Sequence, residues 1–140
     1  MRPLLLILTL LAFPARADVF DLASGLWGLP GDVELTCELN PHRVTFTPDR
    51  TRASFRWDGP MINYEGEVDQ EGTYSVLDHG EDYLVLALDG ESRLTPDGLP
   101  VVWIMRVRLD GSGYCWGRTD WPEEDCVDLY RRCPAPPAVS

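Results

Sequence analysis

Turn-forming residues punctuate this chain at nearly even intervals. Pro48-Asp49, Asp58-Gly59-Pro60, Gln70-Glu71-Gly72, Asp78-His79-Gly80, Asp89-Gly90, Asp97-Gly98 and Asp110-Gly111-Ser112-Gly113 follow one another at gaps of 8 to 13 residues. Asp-Gly pairs suit tight hairpins, because glycine accepts positive φ at little cost. Only short strands fit between such turns, and the spacing predicts an all-β barrel or sandwich.

The intervening segments alternate with a period of two. Val44 and Phe46 share a face opposite Arg43, Thr45 and Thr47. Ala53, Phe55 and Trp57 share a face opposite Arg52, Ser54 and Arg56. Val101, Trp103, Met105, Val107 and Leu109 form a longer apolar face. This is the pattern of antiparallel strands with one side buried and one wet. Tyr83 to Leu88 is apolar on both sides, so its outer face should be covered. Asp120-Trp121-Pro122-Glu123 reads as a helix start, with an acceptor side chain, an early proline and a glutamate three residues on. The expected fold is therefore all-β and mainly antiparallel. It is a small up-and-down meander barrel of seven or eight strands, with a short C-terminal helix over Pro122–Arg132 that covers Tyr83–Leu88.

The ends bound the domain. Met1-Arg2-Pro3, the apolar run Leu4–Phe13 and Ala15-Arg16-Ala17 read as a signal peptide cut before Asp18. Ten apolar residues are too few to span a bilayer. Residues 18–133 then form one domain, and 134–140 a disordered Pro/Ala tail. Of 140 residues, 23 are acidic and 12 are arginine, with no lysine. The net charge is −11, and loss of Arg2 and Arg16 makes it −13. Such a surface argues against nucleic acid and against anionic membranes. The absence of lysine reads as the compositional bias of a GC-rich bacterial genome. Export to the periplasm or medium follows from the leader, with no membrane anchor and a monomeric state expected.

Export also assigns the cysteines. Four of them, Cys37, Cys115, Cys126 and Cys133, imply two disulfides. On a helix, Cys126 and Cys133 would stand about 10.5 Å apart along the axis, too far to bond. Cys37–Cys133 with Cys115–Cys126 is preferred, and Cys37–Cys126 with Cys115–Cys133 stays open. No C-x-x-C pair supports a metal site.

Gly25-Leu26-Trp27, near the start of the expected domain, resembles the Gly-x-Trp signature on the first strand of lipocalins and related calycin barrels. The resemblance implies that an arginine at the end of the last strand packs across the tryptophan. With Tyr114–Arg118 taken as the last strand, that arginine is Arg118. Trp27 and Arg118 would then close one end of the barrel through a cation–π contact, and the other end would be a cup for a small apolar ligand.

Little else carries chemistry. His42 and His79 read as exposed turn residues, and no Ser-His-Asp, Cys-His or G-x-S-x-G pattern occurs. Glu67 to Asp78 has the length of a calcium loop, but Glu and Asp stand at the wrong ends. Carboxylate pairs such as Asp58 with Glu65, or Glu81 with Asp82, are available for acid–base work without one being singled out. Trp57, Tyr74, Trp103 and Met105 face the interior. They would either line a ligand pocket or, as small barrels favour, fill the core. The functional expectation is a non-enzymatic exported domain that binds a small apolar ligand or a protein, without a cofactor. An inhibitor or accessory subunit of an envelope enzyme, meeting a basic partner, is the alternative. A carboxylate-based hydrolase is the third.

Overall fold

The computed structural model describes residues 14–31 and 33–135. Most of the expected signal peptide and tail, residues 1–13 and 136–140, lies outside them. The chain forms one short helix, α1 (Val19–Ala23), and eight strands: β1 (Gly25–Gly28), β2 (His42–Phe46), β3 (Arg52–Ile62), β4 (Val68–His79), β5 (Tyr83–Leu88), β6 (Trp103–Val107), β7 (Gly113–Arg118) and β8 (Val127–Arg132). Every strand pairs antiparallel with its sequence neighbour, and β8 returns to β1 through Trp27↔Arg132 and Gly28↔Arg131. The result is a closed eight-stranded meander barrel with no free edge to recruit another chain. No helix among the described residues is long and apolar enough to cross a membrane.

The period-two faces point inward as the alternation requires. Val44, Ala53, Phe55, Leu84, Leu86, Met105 and Val107 are buried, while Arg43, Thr45 and Arg56 on the opposite faces are wet or half-wet. α1 plugs one end with Val19, Phe20 and Ala23. Asp18 caps it by accepting from Asp21 N at 3.0 Å.

Two expectations are corrected, and a third, the disulfide pairing, holds for a different reason. The C-terminal helix does not form; its residues end as β8. The acceptor meant to cap it, Asp120, is instead taken by Arg118, which donates through Nε at 2.9 Å and Nη2 at 2.7 Å. Pairing on both sides satisfies β8's backbone and the edges of β7 and β1 at once, which an isolated helix could not do. The one helix lies at the N-terminus, and Tyr83, Val85 and Ala87 on the outer face of β5 are half-buried without a helix over them.

Second, Asp58-Gly59-Pro60 and Gln70-Glu71-Gly72 are not turns. They lie inside β3 and β4, at a register irregularity between Arg56 and Met61, where Gln70 Nε2 donates to Trp57 O and Asp58 O. The true turn is Asn63–Glu67, built by Asn63 Oδ1 accepting from Glu65 N and Glu67 N.

Third, the exclusion of Cys126–Cys133 rested on that helix. As a strand, the segment holds them even farther apart, about 23 Å at 3.3 Å per residue. The bonds present are Cys37–Cys133 and Cys115–Cys126, with Cα atoms 5.4 and 5.5 Å apart. For the first, the β1–β2 loop must lie against β1. Gly28 permits this, since any Cβ there would collide with the backbone of Thr36 and Cys37.

Candidate functional site

The two ends of the barrel differ. At the α1 end, Trp27 is fully buried and its Nε1 donates to Ala23 O at 3.0 Å. The cation over its ring is Arg132, not Arg118, with the guanidinium carbon 4.2 Å from the ring centroid. Arg132 also donates to Gly111 O at 2.7 Å, Ser24 O at 2.9 Å and Leu22 O at 2.5 Å. A Cβ at Gly25, whose φ is +128°, would strike that guanidinium. The correction follows from β8: the last strand ends at Arg132, one strand later than the sequence suggested. Arg118 sits at the far end of β7 beside Trp103 and Trp121.

At that far end the barrel is hollow. A cavity of about 370 Å³ is walled by Phe55, Trp57, Tyr74, Trp103, Tyr114, Trp116 and Tyr130. The expected filled interior is therefore only half realised. Met105 is completely buried below the cavity, among the core residues, whereas Trp57, Tyr74 and Trp103 line it. Phe55 lies on the face of β3 already read as apolar. Trp116 and Tyr114 alternate on β7 in the same way, so period two carried the signal for all three. Tyr130 was hidden in the misassigned helix.

The loops β3–β4 (63–67) and β5–β6 (89–102) meet at the mouth. Tyr64 Oη and Ser92 Oγ are 2.9 Å apart, and Ser92 Oγ donates to Glu65 Oε1 at 2.8 Å. Arg93 lies over the Tyr64 ring at 3.6 Å and the Trp103 ring at 4.6 Å. Glu91 accepts from Arg93 Nε at 2.7 Å and Nη2 at 2.9 Å, and from Trp103 Nε1 at 2.8 Å. Burial opposes the ionised form of Glu91, but the Arg93 and Trp103 hydrogen bonds outweigh it and keep its carboxyl below the ordinary value. Of the carboxylates named from the sequence, Glu65 accepts from Ser92 Oγ at 2.8 Å.

His42, expected at the surface, is fully buried where β2 begins. Its Nε2 is 2.5 Å from Tyr114 Oη, and Phe55, Trp57 and Tyr130 surround its ring. Pairing of His42 with Trp57 and Trp27 places it on the inner face, which the neighbouring Pro41 concealed. Burial pushes its pKa down from 6.5 to about 3, so the imidazole is neutral in the fold. Burial likewise raises the Tyr130 phenol to about 12.

A pH dependence follows. As pH falls through 6.5 the unfolded chain takes up a proton on His42 and the folded chain does not. Stability therefore drops with falling pH between 6.5 and about 3, by at most about 1.4 kcal/mol per pH unit. Urea unfolding should show a loss of roughly 1–2 kcal/mol between pH 6.5 and 5. This window precedes most carboxylate titration, and the loss should nearly vanish in His42→Gln. Equal slopes in the two proteins would assign the effect elsewhere.

Compared with known proteins, the chain matches no family model, no curated protein and no solved structure.

Proposed function

We propose that this is an exported, non-enzymatic binding domain whose barrel mouth holds a small, largely apolar ligand. The observation that carries the reading is the half-hollow barrel. Aromatic side chains form the largest group in the lining of its cavity of about 370 Å³, alongside carboxylates and Arg93, and ligand sites typically span roughly 300–1,000 Å³ with apolar and aromatic linings and a few polar groups. The opposite end supports it. Gly25, Trp27 and Arg132 stand in the relation that the calycin resemblance implies, which would make that end the structural one and the mouth the variable one. His42, the one buried imidazole, is neutral and engaged with Tyr114, an arrangement suited to packing. Two disulfides support a periplasmic or secreted location, and Asp18, the first residue after the expected cleavage point, caps α1.

The neutral probe N-phenyl-1-naphthylamine tests the mouth. Its emission should rise and saturate at one probe per chain, with quenching of tryptophan emission. Trp103→Ala should weaken the binding by about tenfold, in line with losing one large aromatic contact. No saturable response in the oxidised, folded protein would overturn the reading.

A further inference from the structure

The mouth is unbalanced in charge. Three of the loops at its end, 63–67, 89–102 and 119–126, carry nine carboxylates and one arginine, Arg93. The turns at the α1 end, 47–51, 80–82 and 108–112, carry four carboxylates and two arginines. The cavity itself is lined by Glu65, Asp69, Glu71, Asp89 and Asp128. Arg52 pairs with Asp89, and Arg56 with Glu71. Among the described residues no arginine pairs with Glu65, Asp69 or Asp128.

Of the arginines at this end, Arg118 is bonded to Asp120, and Arg93, the one arginine among the described residues that lines the cavity, is already engaged. Arg93 is stacked between two rings and doubly bonded to Glu91, so it offers little to an anion. It also shows what these walls accept: a cation against aromatic faces with a carboxylate beside it. Asp128 is held at the cavity by an irregularity. Between Tyr114↔Tyr130 and Trp116↔Val127, β8 contains one more residue than β7, and Asp128 takes a φ of +54° there. Bulges of this kind re-aim a side chain. A concave site with an excess of one sign of charge raises the local concentration of the opposite sign.

We propose that the mouth selects an amphipathic organic cation. The apolar body would enter the aromatic cavity, and an amine or quaternary ammonium group would lie among Glu65, Asp69 and Asp128. This rests on the mouth being the ligand site, and it names the class of ligand.

Three probes with one tail and different heads separate the possibilities: decyltrimethylammonium, decanoate and decanol, each below its micelle-forming concentration. The readout is tryptophan emission of the oxidised protein. The cation should bind at least about tenfold more tightly than decanoate, and its affinity should fall as salt rises. Asp128→Asn keeps a residue that tolerates positive φ and should weaken the cation on the order of threefold to tenfold. Arg93→Gln removes the competing charge and should strengthen it by a similar factor. Near-ultraviolet circular dichroism confirms that each variant is folded. Tighter binding of decanoate that Arg93→Gln abolishes, or equal binding of decanol, overturns the cation proposal and leaves the mouth as a ligand site. Failure of all three probes overturns the mouth reading itself. A response to polylysine alone does the same in favour of a basic protein partner.

Discussion

Replacing Cys37 and Cys133 together by serine should lower the stability of the domain by about 5 kcal/mol, the loop-closure value for a separation near 100 residues. The bond joins positions 96 residues apart, so it constrains nearly the whole unfolded chain. It also pins the β1–β2 loop to the seam where the barrel closes, since Cys133 N donates to Leu26 O on β1 at 2.8 Å. That seam has only two register pairs, Trp27↔Arg132 and Gly28↔Arg131, so few other contacts replace the constraint. The midpoint of thermal unfolding should fall by roughly 15–20 °C. Removing Cys115–Cys126, which spans 11 residues, should cost about 3 kcal/mol. Calorimetry on both double-serine proteins checks the order. A smaller loss from the long-range bond would mean that the seam holds without it.

The second large effect belongs to Arg132. Its guanidinium gathers three backbone carbonyls from two separate segments: the α1–β1 junction (Leu22 and Ser24) and the β6–β7 turn (Gly111). Hydrogen bonds from a charged donor contribute roughly 1.5–3 kcal/mol each and do not add fully. Arg132→Ala leaves those carbonyls without a partner and strips the cation from the Trp27 ring, so a loss of about 4 kcal/mol is expected. Arg132→Lys should recover only part of it, because one ammonium cannot reproduce the planar fork that reaches three diverging acceptors. Arg118→Ala is the control. Its ion pair with Asp120 joins neighbours in one turn, and its removal should cost under about 1 kcal/mol. Urea denaturation of the three variants separates them. A loss at Arg118 that equals the loss at Arg132 would contradict the role assigned here to the β8 arginine.

Both effects concern the closed half, where α1, Trp27 and Arg132 are packed and bonded. The mouth half is organised for exchange with solvent: aromatic walls, an open end and carboxylates on its loops. The same division tells where substitutions should act. Changes near Trp27 should alter stability, and changes near Trp103 and Asp128 should alter binding.

The amino-acid sequence by itself determined the class of the fold. Period two over Val44–Phe46, Ala53–Trp57 and Trp103–Val107 set strand type and inward face, because alternation is a property of the extended backbone alone. Pro48-Asp49, Asp89-Gly90 and Asp110–Gly113 marked real connections for the same local reason. The aromatic residues of the cavity wall were legible too, since Phe55, Trp57, Tyr74 and Trp103 sit on apolar faces. The sequence could not decide between a filled and a hollow barrel, because that depends on how eight strands share the interior, not on any one of them.

Tertiary structure decided the rest. Asp120-Trp121-Pro122-Glu123 has the local chemistry of a helix start, yet the segment after it closes the barrel. Two waiting strand edges, with a disulfide from Cys126 to β7, outweigh a single cap. That one choice moved the closing arginine from Arg118 to Arg132 and brought Tyr130 and Asp128 to the cavity. His42 is buried for a related reason. Its register opposite Trp57 and Trp27 points it inward, and register is set by hydrogen bonds between strands far apart in the chain. Local preferences choose the element; only the pairing of distant strands chooses which residues meet.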